Sequence, residues 1–161
     1  PAHFAAYAGH TAALEVLVKA GCDMNQAQKD GMTPAFIATH DGQTAALDLL
    51  VKAGCDVNQA EKDGMTPARV AAQAGKTAVL ELLLKAGCDV NQAEDTGLTP
   101  AFIAAHNGHT AALELLIKVG CNVNKADNDG VTPANVAAQR GQTAALKLLV
   151  EAGCDANKAD V

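Results

Sequence analysis

Cysteine and histidine are the residues of this sequence best able to do chemistry, and their spacing decides whether they can. Cys22, Cys55, Cys88, Cys121 and Cys154 stand 33 residues apart, one in each of five like segments. Like positions in stacked units are separated by about one helix-packing distance, ~8–10 Å. A disulfide needs Cα atoms within roughly 7 Å, and zinc needs clustered thiolates at about 2.3 Å, so neighbouring segments supply neither. Each cysteine is expected to be a small, buried packing residue. Five thiols without a feasible pair point to a reducing, intracellular compartment, the cytoplasm in this reading.

Histidine offers no better start. His106 and His109 straddle Gly108, the expected end of a helix, so helical spacing between them cannot be assumed. Neither they nor His40 has a carboxylate or thiol at a spacing that makes a base or a ligand set, and they read as surface histidines. Gly75, Lys76 and Thr77 imitate the end of a phosphate-binding loop, but that loop has another glycine where this chain has Val70. Asp127, Asn128, Asp129 and Gly130 imitate a calcium loop whose first and last ligands would be Lys125 and Val136. No catalytic residue, metal ligand or cofactor site is assigned, and the chain is not read as an enzyme.

What remains is the period itself. Pro1, Pro34, Pro67, Pro100 and Pro133 keep the same 33-residue step, as do Asn25, Asn58, Asn91, Asn124 and Asn157. The whole chain, 1–161, therefore reads as a single array: a partial unit at 1–28, then 29–61, 62–94, 95–127 and 128–160. Within a unit, Thr33 caps a helix that opens at Pro34 and ends at Gly42. A second helix begins near Thr44 and stops at Gly54, with Leu47, Leu50 and Val51 as its buried stripe. An extended stretch and a turn lead to the next unit. Asp48–Lys52, Glu81–Lys85 and Glu114–Lys118 are acid-first i, i+4 pairs on the outer faces, each contributing ~0.2–0.5 kcal/mol; Lys147–Glu151 reverses the order.

Composition agrees with closely packed helices, since 49% of the residues are apolar but only 2% aromatic. The formal charge is −6, with acids and bases interleaved. Nucleic acid and membrane surfaces are excluded as partners, because both require a concentrated cationic patch. No apolar run reaches the ~18 residues of a membrane span, and no signal peptide is visible. The sequence opens inside a unit at Pro1, so it is expected to be a piece of something longer.

The Asp-Gly-x-Thr-Pro turn, the Ala-Ala-x-x-Gly end of the first helix, the Leu-Leu-x-Lys-Ala-Gly end of the second and the Asp-Val-Asn that follows resemble the ankyrin repeat over essentially the whole chain. The resemblance implies an all-α fold, a solenoid of stacked helix-turn-helix units joined by β-turn loops. Where the family typically has Leu-His after the proline, this chain has Ala followed by His3, Phe36, Arg69, Phe102 or Asn135. The family's Thr–His hydrogen bonding is therefore not carried over outside the first unit. Phe36 and Phe102 are expected to pack between units.

Constant columns build a repeat stack, and columns that vary between units are free to recognise something. The variable positions are the turn tips Lys29, Asp30, Lys62, Asp63, Asp95, Thr96, Asn128 and Asp129, and the first-helix ends Tyr7, His40, Asp41, Gln73, His106, Asn107, Gln139 and Arg140. The resemblance implies that these line the concave face used for partners, together with Met32, Met65, Leu98 and Val131. Tyr7, Arg69 and Arg140 are the side chains there of the types that dominate interface energetics. The expected function is a protein–protein interaction scaffold, with no partner identified. The alternative is a structural spacer or a consensus-like designed scaffold, favoured by the near-identity of 29–61 and 62–94. Without polar capping repeats, the terminal units are expected to fray first or to stack end to end on another molecule. Leu82 is expected in the core.

Overall fold

A computed structural model describes residues 1–156; Asn157 and the end of the fifth unit lie outside the described residues. These fold into five helix pairs: α1 Ala2–Ala8 and α2 Thr11–Lys19, α3 Pro34–Asp41 and α4 Thr44–Lys52, α5 Pro67–Gln73 and α6 Thr77–Lys85, α7 Pro100–Asn107 and α8 Thr110–Lys118, α9 Pro133–Gln139 and α10 Thr143–Glu151. Among the described residues there is no strand, and no helix is long and apolar enough to cross a membrane. The first helices pack in sequence as one layer, α1 on α3 through to α9, and the second helices as another, α2 on α4 through to α10. The all-α solenoid implied by the repeats is the observed architecture.

Local chemistry sets the boundaries. Thr33 Oγ1 accepts the Phe36 N–H at 3.1 Å, and Thr66, Thr99 and Thr132 cap α5, α7 and α9 in the same way. Pro34, at the first helical position, has no N–H to leave unpaired. Gly42 ends α3 in the left-handed region, at φ 75°.

Alanine lets the first helices approach closely: Ala38, Ala71, Ala72, Ala104 and Ala105 are completely covered. Leu14, Leu47, Leu80 and Leu113, with Leu50, Leu83, Leu116 and Leu149, supply the larger core side chains. Val51, expected in this stripe, and Leu82, expected in the core, are only partly buried. Leu82 lies ~100° around its helix from Leu83, on the flank toward the neighbouring second helix rather than toward the first-helix layer. Of the acid-first pairs, Lys52 reaches Asp48 at 2.6 Å, whereas Glu81–Lys85 and Glu114–Lys118 do not close into ion pairs. On an exposed face the entropy of two long side chains outweighs so small a gain.

The asparagine column is an inter-unit staple. Asn25, Asn58, Asn91 and Asn124 each accept, through Oδ1, the N–H of residue 56, 89, 122 or 155 in the next unit at 2.7–2.8 Å. Turn tips also join directly: the Lys62 N–H donates to Asp30 O at 2.9 Å, and Asn128 to Thr96 at 3.0 Å. This approach is why Gly31 is glycine, since a Cβ there would stand 2.8 Å from the Lys62 nitrogen.

The cysteines depart from uniform burial. Cys88 and Cys121 are buried, Cys55 and Cys154 half-buried and Cys22 exposed. Among the described residues, cover therefore differs with the unit's place in the stack, and the first unit's thiol is the most open.

Candidate functional site

The variable first-helix ends form one row whose backbone is fixed from the next unit. Gln43 Nε2 donates to Tyr7 O at 3.1 Å, Lys76 Nζ donates to His40 O, His109 Nε2 lies 3.0 Å from Gln73 O, and Gln142 Nε2 donates to His106 O at 3.4 Å. Each donor residue stands just before a second helix. Sequence reasoning treated Lys76 only as a false phosphate-binding residue and His109 as a surface histidine. The structure makes both inter-unit struts. Their shared column, polar in every unit, was the available signal.

Above this frame the side chains diverge. Tyr7 is 63% exposed, and His40, Asp41, Gln73, Gln139 and Arg140 are exposed, while His106 and Asn107 are half-buried. His106 Nδ1 and Asn107 Oδ1 are 2.8 Å apart, and Asn107 Nδ2 donates back to Gln73 O at 3.1 Å. His40 Nδ1 lies 3.5 Å from Asp41 Oδ1.

Two clefts open along this row between successive units. The first, about 520 Å³, is lined by His3, Phe4, Tyr7, Gln28, Met32, Ile37, His40 and Asp41. The second, about 510 Å³, is lined by Met32, Phe36, His40, Met65, Val70, Gln73, Ala74 and Lys76. Tyr7, Met32, His40, Asp41, Met65 and Gln73 are thus brought together from the sequence-based set. Leu98, His106, Asn107, Gln139 and Arg140 belong to later units and line neither cleft. The tips Lys29, Asp30, Lys62, Asp63, Asp95, Thr96, Asn128 and Asp129 are exposed outside both clefts. They are ordered by bonds within a turn, such as the Met32 N–H to Asp30 Oδ1 at 3.1 Å, and by bonds between units, such as Asn128 Nδ2 to Asp95 O at 2.8 Å.

Phe4 was missed. It occupies the column of Ile37, Val70, Ile103 and Val136, whose apolar character reads as core, yet it is 79% exposed. Arg69 is corrected in the other direction. It is buried, with Nε 2.8 Å from Glu94 Oε2 and Nη1 donating to Gln73 Oε1 and to Met65 Sδ, so its charge is engaged inside the stack. Phe36 and Phe102 are buried.

Cys55, Cys88 and Cys121 carry no activated thiol. Burial pushes Cys55, Cys88 and Cys121 up to about 11, and the neighbouring Asp56 and Asp89 add to the rise at the first two. Among the described residues no three His, Cys, Asp or Glu side chains cluster as a metal site requires. The arrangement offers shape, apolar cover and hydrogen bonds to an incoming surface.

A family model described as ankyrin repeats (3 copies) matches residues 2–94 and again 87–160. No curated protein matches the chain significantly.

Proposed function

Because the chain belongs to the ankyrin repeat family, we propose that it is a non-catalytic scaffold that binds a protein partner through its turn tips and first-helix ends. Ankyrin repeats generally mediate protein–protein interaction. One observation carries the reading to this face: Tyr7, His40, Asp41 and Gln73, first-helix-end residues that vary from unit to unit, line the two apolar clefts of about 520 and 510 Å³. A cleft of this kind receives an apolar side chain of the partner, with Tyr7 as the exposed aromatic anchor and His40, Asp41 and Gln73 as the polar rim. The row beneath is tied to the next unit by side-chain struts, so little backbone freedom is lost on binding. The array is taken as one domain over 1–161.

The test is capture from an extract at controlled salt, followed by binding of the identified protein in purified form. The parent is compared with a variant carrying Tyr7→Ala, His40→Ala, Gln73→Ala, His106→Ala and Arg140→Ala. A protein bound by the parent and lost by an equally stable variant supports the reading. No specific capture by the parent favours the spacer or designed-scaffold alternative, which the near-identity of 29–61 and 62–94 also supports.

A further inference from the structure

The second cleft, about 510 Å³ between the second and third units, differs in charge from the first. Asp41 lines the first, whereas no carboxylate lines the second. Met32, Met65 and Val70 give it an apolar floor, and its polar side chains are His40, Gln73 and Lys76. Acids nearby in the chain are engaged elsewhere. Asp41 lies 3.5 Å from His40 Nδ1, Glu94 pairs with Arg69, and Glu61 accepts the N–H groups of Asp63 and Met65 at 2.9 and 3.2 Å. Lys76 forms no ion pair among the described residues, and its Nζ donates to the neutral carbonyl of His40.

Arg69 fixes the polarity of the rim. A guanidinium has donors and no acceptor, so Nη1 draws Oε1 of the Gln73 amide and turns the Nε2 donors away. The same Nη1 takes Met65 Sδ at 3.1 Å. The main-chain carbonyl of Gln73 is occupied as well, by Asn107 Nδ2 at 3.1 Å and His109 Nε2 at 3.0 Å. An ammonium carries three N–H groups, of which the His40 carbonyl takes one. The rim thus offers donors and an unpaired positive charge above an apolar floor.

We propose that this cleft takes a peptide segment of the partner in which an apolar side chain stands beside an Asp or Glu. The apolar side chain enters between Met32 and Met65, whose unbranched thioethers adapt to its shape. The carboxylate accepts from Lys76 Nζ and Gln73 Nε2. This rests on the reading of the first-helix ends as the partner-binding face and adds to it the sign of the partner's charge.

The experiment is selection from a random peptide library by the full 161-residue chain, followed by titration of one selected peptide and its acid-to-amide counterpart. Selected peptides are expected to place Asp or Glu next to an apolar residue. Loss of the carboxylate should weaken binding about two- to fivefold, a difference that disappears at high salt. Lys76→Gln keeps the strut, because Gln43 and Gln142 make the same bond in that column, but it removes the charge and should bind both peptides equally. Ala74→Asp, at an exposed position, gives the third unit the acid that Asp41 supplies in the second and should reverse the preference. If either variant melts below the parent, the other carries the test. Selected peptides without an acid, or a preference for the acid that survives Lys76→Gln, overturn the proposal. In that case, binding that is still lost in the five-site variant leaves the partner-binding face standing. Selection of no peptide at all overturns the proposal alone, since capture from an extract tests the scaffold reading separately.

Discussion

His109 of the fourth unit rests its ring against Gly75 of the third, with Nε2 3.0 Å from the carbonyl of Gln73. A Cβ on Gly75 would stand 2.8–3.1 Å from that ring, and Gly75 has φ +63°. The glycine is therefore required twice, once for its backbone and once for the space the strut occupies.

Gly75→Ala is accordingly expected to cost more than Gly87→Ala, where φ is +82° but nothing lies within 4 Å. The left-handed conformation alone costs about 1–2 kcal/mol, and displacement of His109 adds to it only at Gly75. Urea midpoints of the two variants check the order. Equal losses would mean that the strut contributes nothing.

A second comparison tests the facing of α6. Leu83→Ala, at a fully covered position, is expected to cost ~2–5 kcal/mol. Leu82→Ala, at a half-buried one, should cost clearly less. Equilibrium denaturation of both variants settles which residue faces the first-helix layer, and a larger loss at Leu82 would contradict the observed packing.

The fold was legible because its signals are local and recur. Thr, Pro and Gly mark each first helix by cap, first turn and left-handed exit, and one misread unit would be corrected by four others. What could not be read are bonds between units. The Asn25 and Gln43 columns are recognisably constant or polar, but only three dimensions show that one binds the backbone at Asp56 and the other the carbonyl of Tyr7. Leu82 was misassigned because three consecutive leucines, 82–84, leave the facing of a short helix ambiguous by ~100° steps. The candidate site was legible as a set of variable columns, and the clefts gather part of that set. Phe4 escaped because its column is apolar and buried in every other unit.

Arg69 marks the sharpest departure from the sequence reading. Its guanidinium and the Glu94 carboxylate are each about one-tenth exposed, with Nε and Oε2 2.8 Å apart. Arg69→Ala is expected to cost ~3–5 kcal/mol, because it leaves a buried charge without its partner. The double variant Arg69→Ala with Glu94→Ala should recover part of that loss. Thermal melts of both single variants and the double form a thermodynamic cycle, and strict additivity would show that the two charges do not act as a pair.

The buried thiols make stability depend on alkaline pH. An unfolded cysteine loses its proton near 9.0, whereas Cys55, Cys88 and Cys121 hold theirs to about 11 in the folded chain. Between those values the folded state binds more protons than the unfolded state, so raising the pH favours unfolding. Their contribution is complete below the unfolded value and is lost as pH rises through about 11. Urea midpoints measured across this window should fall more steeply for the parent than for the triple variant Cys55→Ala, Cys88→Ala, Cys121→Ala. Taking the difference between the two proteins removes the titration of lysines and Tyr7, which both share. Parallel curves would mean that the three thiols reach solvent in the folded state and that their burial contributes nothing to this pH dependence.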